Sequence, residues 1–185
     1  MSRQLEVSVP LPGGVRRIAA ALGSDPAGWL PPPARPRGLD RWTVELVAGP
    51  MTRAVACRVG GVWRVGPAAW RSIAWQPEPE PDEVLAFQRA LPVFSGEIGV
   101  IRAQPGDGGE VGDGGAGGVD QAVLTLHGSY TAPGGRVGAA ADAAGLHRAA
   151  RATAVRFVAD VADRLQRLPT GEARSDRSDR SGRGG

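Results

Sequence analysis

Residues 122–131, AVLTLHGSYT, and residues 146–168, LHRAARATAVRFVADVADRLQRL, decide the fold. In the first stretch Leu124, Leu126 and Tyr130 fall on one face, with Gly128 between them, while Thr125, His127 and Ser129 take the other. That period of two marks a half-buried strand. In the second, Leu146, Ala150, Ala154, Phe157, Val161, Leu165 and Leu168 recur at steps of three and four, which places them along one side of a helix. Arg148, Arg151, Arg156, Asp160, Asp163, Arg164 and Arg167 occupy the opposite side. A strand with one apolar face, followed by a helix with one apolar stripe, predicts a long C-terminal helix covering a sheet.

The chain upstream supplies that sheet. Leu5, Val7 and Val9 alternate with Glu6 and Ser8 and predict a first strand that Pro10 and Pro12 stop. Val15, Ile18, Ala19 and Leu22 have helical spacing, and Gly23 ends the helix. Ser24 or Asp25 caps a second short helix with Pro26 in its first position and Trp29 and Leu30 as apolar anchors. PPPARPRG then reads as a stiff extended connector. Alternation predicts strands around Trp42–Leu46, Ala54–Val59, Val62–Val65, Trp70–Gln76 and Val93–Arg102. Gly60-Gly61 is expected to be a two-residue hairpin turn and Gly66-Pro67 another, so short connections make the strands an antiparallel meander. Gly96 and Gly99 suggest a bulge. Val84–Gln88 suggests one or two helical turns after the PEPEPDE break.

Two segments have the composition of unfolded chain. QPGDGGEVGDGGAGGVDQ holds eight of the 28 glycines and almost no apolar side chain, so residues 103–121 are expected to form a flexible loop. The tail 169–185, with its irregular Ser-Asp-Arg repeat, is expected to be disordered. The remainder, residues 1–168, reads as one domain, because 185 residues suffice for one core and fall short of two ordinary ones.

Charge and composition exclude several classes of function. The chain has no Lys, so all 22 basic residues are Arg against 19 acids, and the net charge is +3. A pI near 10.3 therefore reflects arginine chemistry rather than a basic patch, and the arginines are dispersed without interleaved aromatics, which argues against nucleic acid as a partner. The single Cys57 forbids an intrachain disulfide. No run approaches the ~18 apolar residues of a membrane span, and the N-terminus lacks an apolar stretch of the signal-peptide kind, so a cytoplasmic protein is expected. No zinc spacing, phosphate-binding loop or dinucleotide fingerprint is present, and GGAGGVD departs from the calcium nonapeptide at Val119, so neither cofactor nor metal is expected.

The order strand, helix, helix, six antiparallel strands and a long C-terminal helix resembles the α+β helix-grip fold of the START-like, or SRPBCC, superfamily, which includes polyketide cyclase/dehydrase-like proteins. LEVSVPL followed by VRRIAAALGSDPAGWLP is similar to the opening strand and helix pair. LTLHGSYTAPGGRVG leading into LHRAARATAVRFVADVADRL is similar to the last strand, corner and helix of its actinobacterial members. The resemblance covers residues 5–168 and rests on apolar and turn patterns. It implies a seven-stranded antiparallel sheet curved around the last helix, with a cavity between them.

The residues expected to line that cavity are Trp42, Trp75, Phe94, Ile98, Leu124, Leu126, Tyr130, Leu146, Thr153 and Phe157. Two readings stand side by side: a pocket in which the Tyr130 hydroxyl orients a ligand, and a core filled by the same rings. Thr153 either meets a ligand or returns its hydroxyl to a carbonyl of its own helix. His127 lies on the outward strand face and His147 adjoins the apolar stripe without lying on it, so no catalytic residue is assigned. The expected function is carriage of a hydrophobic or amphipathic small molecule, lipid-like or polyketide-like. A cyclase or dehydratase using the same cavity, implied by the resemblance alone, is the alternative, and a cavity-less interaction protein is a second. A buried, polar-lined cavity containing Tyr130 and an inward His or acid would favour the enzyme, a wholly apolar cavity would favour carriage, and no cavity would favour the interaction protein.

Overall fold

The computed structural model describes residues 2–48, 51–77, 93–103, 121–131 and 143–169, with the side chains of 48, 51, 77 and 143–146 excepted. Its elements run β1 (Ser2–Leu11), α1 (Val15–Leu22), α2 (Pro26–Trp29), β2 (Arg35–Pro36), β3 (Arg41–Ala48), β4 (Met51–Val65), β5 (Ala68–Pro77), β6 (Val93–Arg102), β7 (Ala122–Thr131) and α3 (Ala143–Arg167). The seven strands form one antiparallel sheet in the order β1-β7-β6-β5-β4-β3-β2. From β3 to β7 each strand pairs with its successor, as short connections favour. β1 is the exception and lies beside the last strand.

The apolar stripe of α3 packs against β1, β3 and β7. β1 and β3 stand five places apart in the sheet, so one helix reaches both only because the sheet curls around it. Ala150, Ala154, Phe157, Val161 and Leu165 are all buried in this contact, as their spacing requires. The helix begins at Ala143, one turn before the apolar stripe was expected to start. α1 buries Val15, Ile18, Ala19 and Leu22 against β5 and β6 and closes the other end of the curved sheet. Of the two possible caps for α2, Asp25 takes the role: its side chain accepts from the Ala27 N–H, while the Ser24 hydroxyl donates back to Ala21 O.

Arg71 pins α1 to the sheet. Its Nη1 donates to Leu22 O at 3.1 Å and Ser24 O at 2.9 Å, its Nε donates to Gly60 O at 2.9 Å, and its guanidinium lies 5.7 Å from the Trp29 ring centre. Orphan carbonyls at a helix C-terminus attract a cation, and a planar guanidinium reaches several of them together. Burial holds the Arg71 guanidinium below its ordinary pKa, offset in part by Asp25.

The glycines do different work from that expected. Gly60-Gly61 is no turn: β4 is one 15-residue strand running through both, with a register shift between Val59 and Val62. Positive φ, which such a hairpin needs, occurs instead at Gly66 (60°), where the chain does turn. A bulge at Gly60-Gly61 is what lets Arg71 reach the Gly60 carbonyl. Strand β6 carries no bulge at Gly96 or Gly99, since its register with β7 is unbroken. Gly99 makes room for the Trp70 ring, which any Cβ would penetrate. With the bulge replacing a hairpin and Arg35–Pro36 adding a short edge strand, the expected total of seven strands is met by a different division of the chain. The helical turns expected at 84–88, the loop at 104–120 and the tail from 170 lie outside the described residues.

Candidate functional site: an aromatic row beneath the C-terminal helix

Alternation along each strand and antiparallel register across strands together put one set of residues in a line. The pairs Arg3↔Tyr130, Tyr130↔Phe94, Phe94↔Trp75, Trp75↔Cys57, Cys57↔Trp42 and Trp42↔Pro36 form a single row across all seven strands. Its five central members are buried on the face that α3 covers. Trp75 stacks on Phe94 at 4.2 Å between ring centres, and Phe157 descends from α3 to 5.0 Å from Trp75. Cys57 sits between the two tryptophans, and burial pushes its thiol up to about 12, so it stays protonated and inert.

Of the expected lining residues, Trp42, Trp75, Phe94, Tyr130 and Phe157 belong to this row or touch it. Gly96 and Gly128 face each other one step along, and a Cβ on Gly128 would stand 2.6 Å from Gly96 Cα and 2.8 Å from Phe94 Cζ. The glycine pair is therefore the seat of the Phe94 ring. Leu126 and Ile98 pair two steps away and Leu124 three, toward the strand ends that α1 covers. They are buried, and they are not part of the aromatic row. The side chain of Leu146 lies outside the described set.

The row and the helix above it hold buried polar atoms. Trp42 Nε1, Trp75 Nε1 and Thr153 Oγ1 are buried and have no hydrogen-bond partner among the described residues, in side chains only 7%, 3% and 2% exposed. The expected return bond from Thr153 to its own helix is not made. Thr153 stands one turn before Phe157, on the side of α3 that meets Trp75. A fourth such atom, Trp29 Nε1, belongs to α2 and lies outside the row. Buried polar groups are nearly always paired, and each that is not costs about 1–3 kcal/mol.

At the β7 end the row acquires a feature that strand and helix patterns did not reveal. Tyr130 Oη lies 2.8 Å from His147 Nδ1. His147 is on the apolar stripe and not beside it: it stands three residues before Ala150 and seven before Ala154, which is the same face of the helix. Taking Leu146 as the first stripe position hid it. His127 is outside, as expected, 3.1 Å from Glu97 and edge-on to Trp70 at 5.3 Å. Thr125, on that same outward face, is nevertheless buried, with its hydroxyl 3.0 Å from Ser8 Oγ.

One open hollow, about 270 Å³, borders the row itself: Cys57, Trp75 and Phe94 line it together with Arg41, Arg58 and Ser95 among others. A second, about 400 Å³, lies elsewhere, between Pro31-Pro32, Glu45, Val47 and Thr52 and the polar side of α3. That side is tied by an Asp163–Arg167 ion pair at 2.5 Å, while Arg164 donates to Gly28 O at 3.3 Å. Among the described residues no three His, Cys, Asp or Glu side chains are placed to hold a metal ion, and no helix is long and apolar enough to cross a membrane.

No protein-family model matches the chain, and no curated protein matches it. Solved structures do. The chain is similar to the Zhui aromatase/cyclase from Streptomyces sp. R1128, at 10% identity and a TM-score of 0.55, over 90% of this chain and 95% of that one. It is also similar to the di-domain aromatase/cyclase BexL from the BE-7585A biosynthetic pathway, at 15% identity and a TM-score of 0.50, over 89% of this chain and 46% of that one, so it spans about half of the di-domain protein. At such identities the likeness is one of fold. The chain has the helix-grip fold, the fold its sequence resembles.

Proposed function

We propose that the protein binds an amphipathic small molecule, polyketide-like rather than a plain hydrocarbon, between the aromatic row and α3. The observation that carries this reading is the set of buried, unpartnered groups Trp42 Nε1, Trp75 Nε1 and Thr153 Oγ1. An indole N–H can only donate, so its missing partner is an acceptor, and a ligand carbonyl is the simplest supply. A fatty chain would leave all three groups unpaired and gain nothing from them. The fold shared with aromatase/cyclases agrees with this choice.

Carriage is the first form of the reading. Catalysis in the same space is the second, and it is favoured by one observation, the Tyr130–His147 contact at 2.8 Å, which puts a titratable side chain against a buried hydroxyl at the end of the row. Native mass spectrometry of gently purified protein, with extraction of what accompanies it, tests binding. The expected result is a discrete bound mass that is rich in carbonyl oxygens and raises the melting temperature. A protein that stays empty and indifferent to ketone and polyketide libraries contradicts both forms.

A further inference from the structure

The interior is polar in two different senses at its two ends, and a ligand that satisfies both has only one way round. At one end stand two indole donors, Trp75 and Trp42. At the other stands Tyr130, already bonded to His147. A phenol is a stronger donor than a neutral imidazole N–H, and an imidazole nitrogen is a stronger acceptor than a phenol oxygen. With the imidazole neutral, the bond runs from Tyr130 Oη–H to Nδ1, and the remaining ring proton sits on Nε2. With its hydrogen committed, Tyr130 Oη keeps only lone pairs to offer, and donation to the imidazole makes them better acceptors. Burial of Tyr130 keeps water from satisfying them.

We propose that the Tyr130–His147 pair is a hydroxyl-accepting subsite that fixes the orientation of a hydroxy-ketone ligand. This inference rests on the binding reading above. A phenolic or enolic hydroxyl donates to Tyr130 Oη, and the carbonyl at the far end accepts from Trp75 or Trp42. Tyr130 and Trp75 lie on strands two places apart in the sheet, with Phe94 between them. Strand spacing makes that about 10 Å, on the scale of two fused six-membered rings with an oxygen at each end. A ligand with carbonyls at both ends would set one of them against a Tyr130 oxygen that has no hydrogen left to give. His147 acts through Tyr130 and is a positioning residue. A pair that merely fastened α3 to β7 would affect stability and leave the choice among ligands unchanged.

The test uses the full chain and three bicyclic probes, 6-hydroxy-1-tetralone, 6-methoxy-1-tetralone and 1-tetralone, titrated calorimetrically. The wild-type chain is expected to bind the hydroxy probe roughly tenfold more tightly than the methoxy probe, the value of one good hydrogen bond. Tyr130→Phe, which removes a single oxygen, is expected to bind the two alike. His147→Leu frees the Tyr130 hydrogen to donate and is expected to reduce the preference at least threefold, in a chain whose circular dichroism is unchanged. Equal affinities in the wild type, or a preference that survives in Tyr130→Phe, overturns the subsite while leaving the binding reading intact. Failure of the wild type to bind any of the three probes overturns both.

Discussion

Replacing Thr153 by Val should stabilise the protein. The two side chains have nearly the same volume and both branch at Cβ, so packing and rotamer restriction in the helix are preserved, and what changes is the hydroxyl. Thr153 is 2% exposed and its Oγ1 has no partner among the described residues. Such a group carries an unreturned desolvation cost of about 1–3 kcal/mol, and removing it returns the lower part of that range, about 1 kcal/mol, after local relaxation. For a chain of this length the melting midpoint should rise by about 2–4 °C. Urea unfolding followed by circular dichroism, with the slope unchanged, gives the free energy directly. The same variant should bind the ketone probes more weakly, because the hydroxyl that destabilises the empty protein is one the ligand uses. A Thr153→Val chain that is less stable by 1 kcal/mol or more would show that the hydroxyl is already bonded in the empty protein, and the reasoning from unpaired donors would fall with it.

Other expectations follow from the packing. Gly128→Ala should cost about 2–3 kcal/mol, because the new methyl meets Ser95 O at 2.5 Å and Gly96 Cα at 2.6 Å, both backbone atoms; Gly38→Ala, with nothing within 4 Å, is the control and should stay within about 0.5 kcal/mol. Arg71→Ala removes three bonds to main-chain carbonyls on two elements and should cost about 3 kcal/mol in thermal or urea unfolding, with Arg71→Lys recovering less than half, since one ammonium cannot span them. Cys57 should resist thiol reagents until the chain unfolds. Its thiol is pushed from an ordinary 9.0 to about 12 by burial. The folded chain therefore holds the proton that the unfolded chain releases, and stability should fall as pH rises from about 9 toward 12, by at most about 1.4 kcal/mol per pH unit from this group. Cys57→Ala should flatten that part of the profile.

Periodicity was enough to read β1, β3, β7 and α3, because each carries one buried face and a two- or three-to-four-residue repeat survives any detail of packing. It misjudged β4, because a Gly-Gly pair is compatible with a hairpin turn and with a bulge, and the pairing with β5 and the sign of φ, neither written in the sequence, distinguish them. For the site, alternation placed Trp42, Trp75, Phe94 and Tyr130 inward but could not say that they share one row while Leu124, Leu126 and Ile98 do not. That distinction is a matter of register, which is fixed by how strands slide against each other and leaves no trace in any one strand. His147 was within reach of helix arithmetic and was lost to the choice of Leu146 as the first stripe residue. The missing partner of Thr153 is invisible to sequence, since it depends on what α3 faces.

Nitrogen-15 NMR of the tryptophan indoles reports whether the buried N–H groups of Trp42 and Trp75 take up a ligand acceptor. Titration with 1-tetralone should shift the Trp42 and Trp75 indole resonances and slow their hydrogen exchange, while that of Trp63, 38% exposed on the outer face, stays where it was. Saturation with a ketone that measurably binds, yet leaves both buried indole signals unmoved, would contradict the account.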